Sequence, residues 1–308
     1  MKFRGKNKNF LGLGSDHASF ENARIVLLPA PYEHTVSYGA GTRFGPRAIR
    51  RASHYVEFYD EEFDRELCFD VGIATARRVK FGDRVGSKML ARLGAAVDEL
   101  LEADRFVVTL GGEHSISTAP ILSHYRRHPG MSVLHLDAHS DLRDSYEGSR
   151  YSHASFMARV IEHVDPTRIT QVGIRAQAIE EAVLIRERGV RTFYANEIRR
   201  GVHGDDWIAR VVETLEQDVY LTFDVDALDP SIMPATGTPE PGGLFYDETL
   251  DLLRGVVKSG RRIVGFDVVE LAPIEGLPHP DLLVARLIYK ILNLAFATTL
   301  PAYPRINV

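Results

Sequence analysis

The chain has a single cysteine, Cys68, and a single tryptophan in 308 residues. One thiol excludes an intrachain disulfide framework and a thiolate metal cluster. Set between Leu67 and Phe69, Cys68 reads as a small core hydrophobe. An uninterrupted apolar run of about 18 residues, the minimum for a membrane-spanning helix, is also missing. The positive charges of Lys2, Arg4 and Lys6 are followed by Asn7-Lys8-Asn9 instead of an apolar stretch, so no secretory signal is read there. Neither sign of charge dominates. A net charge of −5 and a pI near 6.2 give no sign of a nucleic-acid-binding surface. Internal repeats, low-complexity tracts and linkers are absent too. The expectation is a cytoplasmic protein with no nucleic-acid or membrane partner.

What is present is ordinary globular composition, 44% hydrophobic and 26% charged, in a chain long enough for a substantial core. β-rich runs at 23–28, 106–110, 132–136, 169–174, 219–223 and 262–266 read as strands. Helical periodicity lies between and after them, at 86–103, 116–125, 154–163, 178–188, 207–216, 248–258 and 281–296. This alternation predicts an α/β protein with a mainly parallel sheet between helical layers. We expect one domain over 1–308, with 1–20 as an extended N-terminal arm. Pro and Gly concentrate in one loop, Asp229 to Gly243, which follows a strand and reads as a site-shaping loop.

The chemistry-bearing residues sit directly after the predicted strands. Asp137-Ala138-His139-Ser140-Asp141 follows one apolar run and Asp224-Val225-Asp226 another. In an extended chain, alternate residues share a side, so Asp137, His139 and Asp141 would line one face of a strand end. Gly111-Gly112-Glu113-His114 follows a third strand and Asp267 to Glu270 a fourth. In open α/β sheets the ligand crevice lies outside such strand ends. A lone Asp there is usually a turn residue and a lone His usually a satisfied polar group. Their joint occurrence at several strand ends argues for metal. His114, Asp137, His139, Asp141, Asp224 and Asp226 combine hard carboxylates with imidazoles, a donor set that suits Mn²⁺ best, with Fe²⁺, Co²⁺ or Zn²⁺ as alternatives. Two divalent cations would neutralise the four carboxylates.

These blocks, together with Phe223 to Pro230, Thr238 to Leu244, Asp267 to Glu270 and Gly41 to Arg50, resemble the signature blocks of the ureohydrolases, the arginase and agmatinase family. The resemblance covers nearly the whole chain. It implies an arginase-like three-layer α/β/α fold with two Mn²⁺ per subunit. By the same resemblance His114 and Asp141 hold one metal, His139 and Asp226 the other, and Asp137 and Asp224 bridge. The implied chemistry is attack of a metal-bridging hydroxide on a guanidinium carbon, giving urea and an amine. Asp141, Glu270 and His153 form the implied catalytic group, Glu270 holding the guanidinium and His153 passing protons to the leaving amine. Glu113 stands where Asp is more usual and Ala235 where Gly is more usual, and neither change removes a ligand.

The loop Asp141 to Gly148 looks like that of agmatinases and lacks the Asn-x-His arrangement by which arginases hold an α-carboxylate. Agmatine, hydrolysed to putrescine and urea, is therefore the leading substrate. Asp144 and Glu147 are candidates for its ammonium tail, and Arg150 either meets an acidic tail or points to solvent. Guanidinobutyrate, arginine and small guanidines are alternatives within the same chemistry. A different metallohydrolase, such as a deacetylase, and a non-catalytic paralogue are the competing classes. A homo-oligomer, trimer or hexamer, is implied by resemblance.

Overall fold

Runs rich in Val, Ile, Leu and Phe can lie side by side in parallel only if both faces of the sheet are covered. That is how the computed structural model, which describes residues 1–297 and 299–300, is built. Its strands are β1 (Ile25–Ala30), β2 (Ile73–Thr75), β3 (Phe106–Gly111), β4 (Ser132–Leu136), β5 (Ile169–Ile174), β6 (Arg191–Tyr194), β7 (Asp218–Asp224) and β8 (Arg262–Val269). They form one sheet in the order β2-β1-β3-β8-β7-β4-β5-β6, and every pairing is parallel.

Alternate residues feed opposite faces. Ile25 and Leu27 of β1 pack into one core while Val26 and Leu28 pack into another. In β7, Val219, Leu221 and Phe223 face the first core and Tyr220 a third. Helices cover both faces, including Ser87–Glu102, Thr118–Arg127, Tyr246–Lys258 and His279–Phe296, so the layers are α/β/α. None of the described helices is long and apolar enough to cross a membrane.

The six strands expected from sequence are all present. The two edge strands, β2 and β6, were not anticipated. β2 has three residues and β6 has one fully buried position, Phe193, so neither carries the long apolar run of a central strand. The first twenty residues also depart from the expected extended arm. Phe10, Leu11, Leu13 and Ala18 are buried in the core, and the Arg4 amide donates to Thr75 O at 2.9 Å. Four apolar side chains gain more from burial than from a free arm. Residues 298 and 301–308, included in the expected single domain, lie outside the described residues.

Sequence neighbours β3 and β4 are separated in the sheet by β8 and β7. The carboxyl ends of these four central strands therefore form the crevice where the order reverses. Gly112 is needed at its rim, because a Cβ there would stand 1.9 Å from Tyr32 O. Two non-glycine residues at the crevice, Asp141 (φ 51°) and Glu270 (φ 65°), occupy the left-handed region. Such strain persists where surrounding contacts fix a side chain in place.

Candidate metal centre

His114 opens the turn after β3, fully buried, with its ring stacked on Phe156 at 3.9 Å. Its Nε2 lies 3.0 Å from Thr222 Oγ1, and that hydroxyl donates its only proton to Asp267 Oδ1 at 2.8 Å. Thr222 can then only accept from His114, so Nε2 carries the ring proton and Nδ1 is left with a lone pair. Among the described residues Nδ1 has no hydrogen-bond partner of good geometry, yet it lies 3.0 Å from Asp137 Oδ2, 3.1 Å from Asp224 Oδ2 and 3.4 Å from Asp141 Oδ2. A lone pair facing three carboxylate oxygens repels them unless a cation intervenes. Without a metal the cation is a proton. Burial opposes it, but Asp137, Asp141 and Asp267 prevail and raise the imidazole to about 9.

A second group adjoins the first. His139 Nδ1 is 3.0 Å from Asp226 Oδ2 and 3.5 Å from Asp137 Oδ1. Burial again disfavours the charged ring, and Asp226 and Asp137 overcome it and push its pKa up. Asp137 therefore turns one oxygen to each imidazole. Backbone donors fix the acids: His139 N–H to Asp137 Oδ1 (2.6 Å), Ala138 N–H to Asp226 Oδ1 (3.0 Å) and Asp226 N–H to Asp224 Oδ1 (2.8 Å).

Burial, then the charge of Asp137, drives Asp141 well above the usual carboxylate range. Burial, then Asp226 and Asp137, does the same to Asp224. Burial acts in that direction on Asp137 too, but its bonds to His114 and His135 outweigh it and hold the group low. All six expected ligand residues are thus brought together, and their donor set fits a pair of hard divalent cations.

The three-residue run that sequence placed on one strand face is only partly extended. β4 ends at Leu136, His139 still bridges Ala176 in parallel, and the chain then turns at Asp141. Asp141 O accepts the amides of Met157 and Ala158, which ties that turn to the helix Phe156–Val160.

His135 was missed. It lies within ligand distance of His114, Asp137 and Asp141. Gln171 Nε2 donates to its Nδ1 at 3.1 Å, so Nε2 carries the proton and gives it to Asp137 Oδ2 at 2.7 Å. Its role is to orient Asp137, because its outward nitrogen has no free lone pair. The only sequence signal was its place two residues before Asp137.

The crevice opens into a cavity of about 570 Å³, and His139, Asp141, Asp224 and Asp226 reach its wall. Glu270 and His153 line it as well. Glu270 Oε1 accepts the His114 amide at 2.6 Å, and burial, then Glu113, raises its carboxyl to about 8. The His153 amide donates to Thr35 Oγ1 at 3.0 Å, and its Nε2 stands 3.5 Å from Ser37 Oγ. Burial lowers its pKa. Glu113 anchors the facing loop. Its carboxylate accepts the amides of His34 and Thr35 and the hydroxyls of Thr35 and Ser115.

Asp144, Glu147 and Arg150 are not among the lining residues. Asp144 pairs with Arg159 at 2.7 Å and with Arg150 at 3.1 Å, and Arg150 also reaches Glu162 at 2.8 Å. Glu147 is exposed in the turn closed by Tyr146 and Ser149. Tyr38, Arg143, Tyr146 and Glu240 stand on the wall instead. Arg143 leans on Glu181 at 3.6 Å. The Glu240 carboxylate makes no ion pair among the described residues, while Arg175 binds the Glu240 carbonyl at 2.7 Å and fixes the loop.

Comparison with known proteins gives a consistent result. The Arginase family model matches residues 23–293. The chain is 37% identical to an N(1)-aminopropylagmatine ureohydrolase of Synechocystis sp., over 95% of each chain. It is 35% identical to an agmatinase of Bacillus cereus, over 84% of this chain and 87% of that one. The crystal structure of agmatine ureohydrolase of Thermoplasma volcanium superposes with a TM-score of 0.82 at 26% identity, covering 95% of both chains.

Proposed function

The chain belongs to the arginase family, hydrolases of the guanidino carbon–nitrogen bond, and on that premise we propose that it cleaves an amine-tailed guanidine with two Mn²⁺ ions, agmatine to putrescine and urea being the first candidate. The observation that carries this reading is the Asp137 carboxylate shared between His114 and His139. In the proposal His114 and Asp141 would hold one ion and His139 and Asp226 the other, with Asp137 and Asp224 placed to serve both. Bound there, the ions would supply Lewis-acid charge that lowers the pKa of a water for attack on the guanidinium carbon.

The chain's own groups do the rest. Glu270 has one oxygen held by the His114 amide, which leaves the other to accept from the guanidinium and orient it. A guanidinium beside that carboxyl favours its ionised form. His153, kept largely neutral near pH 7 by burial, has one ring nitrogen free to take a proton during the reaction, and the imidazolium so formed passes a proton to the leaving nitrogen. Glu240 meets the ammonium at the far end of the substrate.

An aminopropyl-extended agmatine is the second reading. Relatives named for that substrate match at 37% and 39% identity, and a cavity of about 570 Å³ has room for the longer tail. A cytoplasmic homo-oligomer, trimer or hexamer, belongs to the same proposal, and sedimentation measures its size.

Substrate preference tests the reading. Urea release by the Mn²⁺-loaded protein is compared as kcat/KM for agmatine, N(1)-aminopropylagmatine, arginine and guanidinobutyrate. An amine-tailed substrate should lead the acidic ones by at least about tenfold, roughly 1.4 kcal/mol of discrimination. A lead for guanidinobutyrate or arginine would overturn the assignment of the tail.

A further inference from the structure

A second concavity, of about 360 Å³, shares no lining residue with the metal-centre cavity. Arg4, Arg43, Arg47, Arg50 and Arg78 line it, together with Phe44. They come from three segments. Arg47 and Arg50 lie on the helix Gly45–Ala52, and Arg43 on the turn before it. Their spacing of i, i+4 and i+7 puts them on one face. Arg4 is brought beside the chain following β2, where Phe3 bridges Ala76 and the Arg77 amide donates to Lys2 O.

Arginines elsewhere are commonly paired: Arg126 with Asp98, Arg254 with Glu62 and Arg262 with Asp218. Among the described residues, only Arg43 of this pocket has a carboxylate partner, Glu33 at 3.1 Å. Glu33 is also occupied by the Gly41 and Arg43 amides. Among the described residues Arg4, Arg47, Arg50 and Arg78 form no ion pair, and neither do the flanking Arg51 and Arg77. This gathering of unpaired cations occurs in a chain whose net charge is −5.

The arrangement opposes itself. Burial, then Arg4, Arg51 and Arg47, lowers the pKa of Arg50, and burial, then Arg77 and Arg78, lowers that of Arg4. Arg4 Nε is buried without a hydrogen-bond partner among the described residues. A lone exposed arginine is ordinarily a solvated group. Four unpaired guanidiniums turned into one concavity, one of them with a buried unsatisfied N–H, form instead a convergent set of donors. Their planar forks match the tetrahedral oxygens of phosphate better than any neutral ligand. The cluster is a pocket and not a stripe along a face, which favours a small molecule over a nucleic acid.

We propose that this pocket, walled by Arg4, Arg43, Arg47, Arg50 and Arg78, is a binding site for a small phosphate-bearing anion with two or more negative charges. Arg4, Arg47, Arg50 and Arg78 neutralise it, and Arg43 turns to it from Glu33.

Calorimetry on the Mn²⁺-loaded full chain, with fructose 1,6-bisphosphate as the probe at about 0.15 M ionic strength, tests the site. Saturable binding at one equivalent per chain is expected. Arg47→Ala and Arg78→Ala, both at exposed positions that tolerate substitution, should each weaken it at least about tenfold. Arg200→Ala, an exposed arginine away from the pocket lining, should leave it unchanged. Three results would overturn the proposal: no binding, binding that persists in both pocket variants, or displacement of the probe by a tighter-binding single-stranded oligonucleotide. Persistence in both variants would place the probe elsewhere, the metal centre included. The site does not depend on which guanidino substrate the enzyme uses.

Discussion

Thr222 accepts the Nε2 proton of His114 across 3.0 Å, and this bond decides which nitrogen of the ring is free to face the carboxylates. Thr222 can play that part because Asp267, fully buried at 0% exposure, takes the hydroxyl proton. Thr222→Val keeps the shape and strand preference but removes the acceptor. Mn²⁺ affinity should fall about 10- to 100-fold, the usual cost of losing such a supporting contact. Metal titration of the variant against wild type measures it, and an unchanged affinity would show that the ring needs no such fixing.

Asp224 gives a sign test. In the metal-free protein it is buried with Asp226 and Asp137 and strongly resists ionisation. Asp224→Asn keeps the Oδ1 that accepts the Asp226 amide and removes the charge. The melting temperature of the metal-free protein should rise, while that of the Mn²⁺-loaded protein should fall, since the proposed assignment makes Asp224 a ligand that the amide weakens. Scanning calorimetry with and without metal reads both. Shifts of the same sign in the two states would contradict a metal-balanced site.

The stability of the metal-free protein should fall as pH rises from about 7 to about 9, above the range where His124, His135 and His153, held low by burial, act in the opposite direction. Asp141, Asp224 and Glu270 have folded-state pKa values above their ordinary ones, Glu270 near 8 in place of 4.5. Such groups contribute stability in full below the unfolded value and lose it as pH passes the folded one. His114, raised from 6.5 to about 9, acts in the same direction at the upper end of the window. Asp137 is depressed, so its contribution is lost only at the acid extreme. Bound Mn²⁺ should flatten the decline. A metal-free melting temperature that climbs over this window would refute the charge arrangement.

Glu240 and Arg150 make a pair of opposite expectations. Glu240→Gln should raise KM for agmatine about 3- to 10-fold with little change in kcat, the range for one partly exposed charge contact. Arg150→Ala should leave kcat/KM and substrate ranking unchanged, because its guanidinium is already held by Asp144 and Glu162. Steady-state kinetics on both variants decides. A change of preference in Arg150→Ala would return that side chain to the substrate.

The central strands and the six candidate ligands were legible because each strand end joins a long apolar run to a polar cluster, and both features survive in a one-dimensional reading. The edges were not. β6, Arg191–Tyr194, carries too few apolar residues to announce itself, and β2 is only three residues long. His135 was hidden because a histidine inside a strand looks like core until its partners, Gln171 and Asp137, are seen. The tail candidates lie outside the cavity lining for a related reason. Asp144 is adjacent in sequence to Arg143 and two positions from Tyr146, yet only those neighbours reach the cavity wall, because Arg159 and Arg150 draw Asp144 outward.

The sharpest test is metal content, measured as Mn²⁺ per chain in the wild type and in Asp137→Ala alongside urea release from agmatine. Two ions per chain in the wild type, with the variant falling to one or fewer and losing nearly all urea release, is the expected result. A variant that retains two ions and full turnover would contradict a centre in which Asp137 joins the His114 and His139 halves.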